Sequence, residues 1–364
     1  GAYIMFSTFE TSKVDVTVYR ASSRGWVFDR KIKNLKKGTP QLWDLSKDDT
    51  DKFFSYSEYF KFNSKLKNKG KFPYGRNDPA YGSSSANNAD NRSKNDINWL
   101  TTKTHGFKIV ASANIYVRVV LKADNNPLTS PANLKYGLGT NTHGASFSSK
   151  GITRGAGTEF YSAHFYTQNK AANGGDQDFI SVMSLEDGND VVLNSAQAWY
   201  TPTGLASNRT ITLSEGESVI FKRSWSSNNH SLGTRVYSSN DKEMVVTSGS
   251  WGGKLKDDSN AQDIGIEQLV PVKALGKKYL ISETMSFNNS SDFRVGLNVI
   301  AVEEGATSYT FNEIPYTLNR GQASFHRIEN FAPEDVKNPT YPGSPYAIIS
   351  DKKILVTYQA FGNP

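Results

Sequence analysis

Short segments in which every second residue is apolar recur along the whole chain. In 14–18, valines alternate with Asp15 and Thr17, and in 210–214 the apolar Ile211 and Leu213 alternate with polar residues. Turns rich in Gly, Asn and Asp separate such segments. Because a two-residue period places successive side chains on opposite faces of a strand, the pattern predicts antiparallel strands joined by hairpins. Helical features are confined to 47–60, behind Ser46, and predict a turn or two of helix at most.

The middle of the chain shows the pattern most clearly. Turn residues separate eight apolar segments there, each of strand length. The predicted strands are 178–185, 190–194, 209–214, 217–223, 233–238, 243–249, 264–272 and 277–283.

Related segments recur at regular distances, which indicates an internal repeat. The segment at 157–161 resembles 276–280, 184–188 resembles 301–305, and 236–246 resembles 347–356, with offsets of 119, 117 and about 111 residues. The start of the chain matches the same pattern at a larger offset of 176. We therefore predict one repeated all-β module over 1–364, with approximate repeats 1–156, 157–275 and 276–364. An insertion at about 46–98 accounts for the larger offset.

The number of strands in each repeat leaves two architectures open. Eight strands make two four-stranded blades, so three repeats predict a β-propeller of about six blades. The same strands could form tandem β-sandwiches of about seven strands each. We favour the propeller slightly, although the third repeat ends two strands short of the second.

Composition removes several classes of chemistry. The chain has no cysteine, so disulfides and thiolate metal sites are excluded, and none of its five histidines lies at paired ligand spacing. The net charge is +7, but 35 acidic residues are interspersed with 42 basic ones, which favours an ordinary solvated surface over nucleic-acid binding. No apolar run approaches the roughly 18 residues that a membrane span needs.

No arrangement of residues predicts a catalytic centre. A Gly-x-Ser-x-Gly motif is missing from the sequence, and 247–252, which is closest to it in composition, is interpreted as a turn between strands. Glu267 lies in an apolar segment and is interpreted as a buried carboxylate bonded to backbone or arginine. We therefore predict a protein that is not an enzyme. The alternative is a carbohydrate-active surface enzyme, or a glycan-binding module, that acts on polysaccharide.

One acidic loop could hold a metal ion. Asp257, Asp258 and Asp263 lie close together around Asn260, and oxygen ligands of this kind suit calcium. The spacing is not that of an EF-hand, so a solvated acidic loop is favoured over a calcium site. Calcium is the one cofactor that the sequence makes possible.

The insertion at 46–98 is rich in aromatic and basic residues. Tyrosine and phenylalanine give large contact areas at low entropic cost, and the basic residues could meet an anionic glycan or an acidic protein. A second exposed aromatic is predicted at Trp251, beside two glycines. The alternative is that the aromatics of the insertion fold back and cover an edge strand. The predicted binding residues are Phe53, Phe54, Tyr56, Tyr59, Phe72, Tyr74, Arg76 and Trp251.

The segments 233–251 and 263–280 carry a family resemblance. They read GTRVYSSNDKEMVVTSGSW and DIGIEQLVPVKALGKKYL. The chain thus resembles the IgGFc-binding-protein N-terminal domain family, in the version found in large cell-surface proteins of Bacteroidota, including adhesin-like and gliding-associated ones. This resemblance implies an exported, non-catalytic binding or adhesion module at the bacterial cell surface, usually one part of a longer chain. Its partners would be an extracellular glycan or protein and other domains of that chain.

Overall fold

Antiparallel strands make up most of the part of the chain that the structure describes, as the alternating pattern predicts. The computed structural model describes residues 2–22, 25–44, 54–55, 104–124, 142–163, 178–202, 204–223, 231–253, 263–281, 294–328 and 346–361. Within those ranges the helices are α1 (Gly151–Gly155) and the 3₁₀ helix η1 (Val272–Ala274). No helix among them is long and apolar enough to cross a membrane. The predicted turn of helix at 47–60 is wrong for Phe54 and Ser55, which form a strand, and its other residues lie outside the described part.

The first unit consists of two sheets around one hydrophobic core. The sheet orders are β5-β4-β1-β8-β9 and β3-β2-β7. Ile4 and Phe6 from the first sheet pack against Val14, Val16 and Val18 from the second. The strands are β1 (Ala2–Ser7), β2 (Val14–Ser22), β3 (Gly25–Leu35), β4 (Gln41–Asp44), β5 (Phe54–Ser55), β7 (Phe107–Ala111), β8 (Tyr116–Asp124) and β9 (Thr142–Ser148). The short β6 (Thr104–His105) precedes β7 in the chain but pairs with Glu217 and Ser218 of the second unit.

The second unit has the same arrangement, but one long strand joins its two sheets. The strands are β10 (Ala156–Gly157), β11 (Glu159–Tyr161), β12 (Asp178–Ser184), β13 (Asn189–Thr201), β14 (Gly204–Leu213), β15 (Glu217–Arg223), β16 (Arg235–Ser238), β17 (Met244–Gly253) and β18 (Asp263–Gln268). One sheet contains β18-β17-β12-β15, and the other contains β14-β13-β16-β11. An irregularity between Asn194 and Trp199 lets β13 pair with β16 first and with β15 at Tyr200.

The third unit is again a pair of sheets. The orders are β19-β24-β21-β22 and β23-β20-β25. Leu297 and Val299 from one sheet pack on Tyr309 and Ile348 from the other. The strands are β19 (Lys278–Ile281), β20 (Arg294–Ala301), β21 (Ala306–Phe311), β22 (Ile314–Asn319), β23 (Ala323–Ile328), β24 (Tyr346–Ser350) and β25 (Ile354–Phe361).

Two-residue alternation explains which face of β12 is buried. Along β12, burial alternates strictly, and Ile180 and Val182 point into the core of the second unit. Val219 and Phe221 do the same on the neighbouring β15. Burying side chains of this size removes apolar surface from water, at roughly 1.5–3 kcal/mol for each fully buried one.

The three units share one strand order. In each, a central strand of one sheet (β1, β12 or β20) continues into a central strand of the other (β2, β13 or β21), and each is flanked by two strands. Strands with the same neighbours in the second and third units begin 116 residues apart for β12 and β20, and 110 apart for β17 and β25. The offset from the first unit to the second is 176 residues for β4 and β15, but 128 for β7 and β16. The first unit thus carries its extra residues between β4 and β7.

Each unit has two different ends. At one end, which we call the tight-turn end, short segments connect the strands: 185–188, 214–216 and 239–243 in the second unit, and 302–305, 320–322 and 351–353 in the third. At the other, which we call the long-connection end, the strands lead into and out of longer segments, such as 162–177 and 224–234. Antiparallel pairing throughout the units fixes this segregation.

Within the described residues the strands form pairs of sheets around cores, with no closed barrel and no ring of blades. The preference for a six-bladed propeller is therefore unconfirmed. The eight strands predicted between 178 and 283 all exist, and their ends shift by up to seven residues, the largest shift being at the end of β13. Apart from Phe54 and Ser55, the predicted insertion at 46–98 lies outside the described part of the chain.

Candidate binding surface

A row of strand ends at the long-connection end of the second unit forms the candidate binding surface. Arg223 on β15 lies opposite Asp178 on β12, which lies opposite Ser250 on β17, which in turn lies opposite Gly265 on β18. Four adjacent strands therefore present their ends side by side. A rigid sheet edge from which long segments leave is the usual support for recognition in β proteins.

Two buried charges lie in this row. Asp178 and Arg223 are both buried, and burial lowers the pKa of Arg223, an effect that the nearby Asp178 carboxylate opposes. Sequence reasoning missed the pair, although a signal was present. Asp178 has the same parity as Ile180 and Val182, and Arg223 has the same parity as Phe221, so both follow the buried face of their strands. A charged residue on the buried face of a strand costs free energy unless it is paired, so its presence there indicates a buried partner or a functional role.

Three of the predicted site residues lie in described strands. The backbones of Trp251 and Asp263 belong to the neighbouring strands β17 and β18, where Gly253 pairs with Asp263, beside the row of strand ends. Phe54 lies on β5 opposite Leu42, in the first unit, so the structure does not bring it near Trp251. The other predicted residues fall outside the described part of the chain: Phe53, Tyr56, Tyr59, Phe72, Tyr74, Arg76, Asp257 and Asp258.

The structure neither supports nor rejects the calcium site. Asp263 is the one predicted ligand in a described strand. Among the described residues, no group of three or more His, Asp or Glu side chains could hold a metal ion. Calcium binding at 257–263 stays a prediction.

Both segments considered for catalysis have a structural explanation. The apolar segment around Glu267 predicted a buried carboxylate, and this prediction is wrong. The Glu267 side chain is 47% exposed and forms an ion pair with Lys150. The residues 247–250 are not a turn either, since they lie inside β17. Ser248 is fully buried there, within 3.5 Å of the hydroxyl of Ser162.

A polar cluster joins the second unit to the third. One carboxylate oxygen of Glu159 accepts hydrogen bonds from Arg235 Nε at 2.6 Å, Arg320 Nη2 at 2.9 Å and the Tyr161 hydroxyl at 3.2 Å. Arg320 Nε also donates to the Tyr161 hydroxyl at 2.6 Å. The two guanidinium groups lower the pKa of Glu159 despite its partial burial, and burial raises the pKa of Tyr161. Since Arg320 belongs to the third unit, the cluster fixes the relative position of the two units.

A histidine lies in the core of the third unit. His326 is buried, and its Nε2 lies 2.8 Å from the hydroxyl of Tyr309. The rings of Phe311 and Tyr316 also contact the imidazole. Burial lowers the pKa of His326 below its ordinary value of 6.5 and raises the pKa of Tyr309 to about 12. The contacts make His326 part of a packed aromatic core.

Comparison with known proteins agrees with the resemblance seen in the sequence. The family described as IgGFc binding protein matches residues 152–362, a segment that contains the second and third units. No curated protein and no solved structure matched the chain. Because the matched segment is more than half of the chain and includes the strand ends described above, the chain belongs to the IgGFc-binding protein family.

Proposed function

We propose that this chain is a non-catalytic binding module that acts outside the cell, at the surface of a bacterium, and holds a protein ligand at the row of strand ends on β15, β12, β17 and β18 of the second unit. The observation that carries the proposal is topological. Antiparallel pairing brings the long segments of each unit to one end and leaves tight turns at the other. Membership in a family named for antibody binding supports a protein as ligand.

The second unit offers the best-defined surface for a test. Trp251 lies beside the row Arg223, Asp178, Ser250, and tryptophan is enriched among residues that dominate binding energy. We expect Trp251→Ala to weaken ligand binding by about 2 kcal/mol, roughly thirtyfold in Kd.

The experiment needs a defined probe and a matched aromatic control. An immunoglobulin Fc fragment and a panel of extracellular-matrix proteins would be immobilised and titrated with the chain by surface plasmon resonance. Phe28→Ala is the control, since Phe28 is an exposed ring on the first unit. Equal loss of binding in the two variants, or unchanged binding in Trp251→Ala, would contradict the proposed surface. If the chain bound neither the Fc fragment nor any matrix protein, and instead hydrolysed a polysaccharide, the proposed function would be overturned.

The aromatic insertion needs a separate test. Because Phe54 and Ser55 extend a sheet beside β4, a replacement should spare them. We propose to exchange 56–98 for a short Gly-Ser linker and to measure both melting temperature and ligand binding. Lost binding at unchanged melting temperature would assign binding to the insertion. Unchanged binding in a folded variant would exclude it, and a large drop in melting temperature would favour the covering of an edge strand.

A further inference from the structure

The same four-residue turn occurs at the tight-turn end of every unit. The turns are 36–39, 214–217 and 319–322, and in each the backbone N–H of the fourth residue donates to the carbonyl of the first, at 2.9–3.1 Å. The third residue is a glycine with positive φ in all three: Gly38 (74°), Gly216 (73°) and Gly321 (77°). These turns therefore occupy equivalent positions in the three units.

In the second unit, this turn docks onto the first unit. Glu215 accepts a hydrogen bond from Trp26 Nε1 at 2.6 Å. The carbonyl of Gly216 accepts from the backbone N–H of Gly106 at 2.9 Å, and a Cβ at Gly216 would lie 2.8 Å from the Trp26 ring.

In the third unit, the equivalent turn docks onto the second unit. Arg320 binds Glu159 and Tyr161, and Gly321 lies in close contact with Gly233. A hydrophobic cluster surrounds the contact and includes Tyr161 from the second unit with Val302 and Leu355 from the third. Their exposures are 1%, 1% and 5%. Both seams thus place the tight-turn end of one unit on the long-connection end of the unit before it.

The tight-turn end of the first unit has residues equivalent to those in the second seam, but these residues are exposed to solvent. Strand register makes Phe9 equivalent to Val302, and Tyr116 equivalent to Leu355. Phe9 and Tyr116 are 68% and 56% exposed, and their rings meet edge to face at 5.0 Å. Lys37, at the position of Arg320, is exposed, and no atom lies within 4 Å of a Cβ placed on Gly38. Two exposed aromatic rings beside a cation match the residues that dominate protein interfaces.

We propose that the tight-turn end of the first unit, formed by Phe9, Lys37, Gly38 and Tyr116, is a docking surface for the long-connection end of another β-sandwich unit. The partner unit has a carboxylate and an aromatic ring at the positions of Glu159 and Tyr161. Lys37 binds that carboxylate, as Arg320 does, and the two rings cover the aromatic residue. The surface therefore joins sandwich units end to end, which is distinct from ligand binding at the row of strand ends on β15, β12, β17 and β18.

The third unit of a second copy does not have this chemistry. Strand register places Lys278 at the position of Glu159 and Leu280 at the position of Tyr161. Lys278 would meet Lys37 with the same charge, so the unmodified chain should not join copies of itself in this way. Both residues are exposed, and Leu280 is 77% exposed, so they can be exchanged without disturbing a core.

The test converts the third unit into the proposed partner. A variant with Lys278→Glu, Leu280→Tyr and Lys37→Glu has the converted end and a disabled docking surface of its own. Mixed with the unmodified chain, it should form a 1:1 complex that sedimentation velocity detects, whereas each protein alone stays monomeric. Phe9→Ser in the unmodified chain should weaken the complex at least tenfold. Lys33→Glu, the same charge change at an exposed position outside the turn, should leave it unchanged.

Three results would overturn the proposal. They are a folded converted variant that forms no complex, a complex insensitive to Phe9→Ser, and one weakened equally by Lys33→Glu. If circular dichroism shows that the variant with Leu280→Tyr is misfolded, the variant with Lys278→Glu and Lys37→Glu replaces it. It retains the ion pair with Lys37, and the same three outcomes apply to it. Ligand binding by the unmodified chain is measured separately, so failure here leaves the proposed function untouched.

Discussion

At the scale of single residues, close backbone contact makes certain glycines irreplaceable. Gly233 has φ of +79°, and a Cβ there would overlap the carbonyl oxygen of Gly321 across the seam. Gly38 has a similar φ of +74° but lies in open space. A side chain at either position would pay the conformational cost of the left-handed region. Only at Gly233 would it also clash with a neighbouring backbone atom.

We expect Gly233→Ala to destabilise the protein by at least about 3 kcal/mol, because the overlap with the backbone adds to the cost of positive φ. Gly38→Ala should cost about 1 kcal/mol, which is the conformational cost alone. Urea unfolding of the two variants measures the difference. Equal losses would show that the seam relaxes around a methyl group.

His326 makes stability depend on pH. Its pKa is lowered in the folded protein, so the unfolded chain takes up the proton first as pH falls through 6.5. The contribution of His326 to the free energy of unfolding is therefore fully present above pH 6.5, and it is lost as the pH falls from 6.5 toward the lowered pKa of the folded protein. Tyr309, which contacts the imidazole, stays neutral over this range because burial raises its pKa to about 12.

The melting temperature should accordingly fall between pH 7.5 and 5.5. In His326→Gln, which keeps a polar group near Tyr309 and removes the titration, the fall should be smaller. Differential scanning calorimetry in buffers of matched ionic strength compares the two. The same slope in both proteins would assign the pH dependence to other groups.

At the scale of elements, a single turn acts as a connector between sandwiches. The turn at 319–322 places Arg320 against Glu159 and Tyr161, whereas the turn at 36–39 places Lys37 in solvent. Partly buried, charge-assisted hydrogen bonds contribute more than exposed ones. The same local structure thus has different energetic consequences in the two units.

We expect Arg320→Ala to destabilise the protein by about 2 kcal/mol, since it removes one of the two charged donors to Glu159 and the charged donor to Tyr161. Lys37→Ala, the equivalent substitution in the first unit, should stay within about 0.5 kcal/mol. A double-mutant cycle with Glu159→Gln checks the assignment, because the two losses should not add. Additive losses would show that the two residues act independently.

At the scale of the whole molecule, the units form an array in which each contacts the next one along the chain. The stability of such an array is the sum of the units and their interfaces. The hydrophobic cluster around Tyr161, Val302 and Leu355 makes the second seam an extensive interface. Calorimetry should therefore show the second and third units unfolding in one transition, and Gly233→Ala should split it in two. Two transitions in the unmodified protein would contradict this coupling.

The sequence determined the strands and the faces that they bury. Alternation at 178–184 predicts both, because the two-residue period of a strand is a local property of the backbone. The segments 233–251 and 263–280 likewise sufficed to indicate the family, whose match begins at residue 152.

Only the tertiary structure decided how the sheets pair and where the charges meet. Asp178 and Arg223 are 45 positions apart, and Glu159 and Arg320 are 161 apart, so no local pattern relates them. The choice between blades and paired sheets depends on packing between strands, for which alternation is the same in both architectures. The sequence also could not predict the difference in exposure between Phe9 and Val302, since both are apolar residues that follow a strand. One is exposed and the other is buried because a neighbouring unit covers the second and not the first.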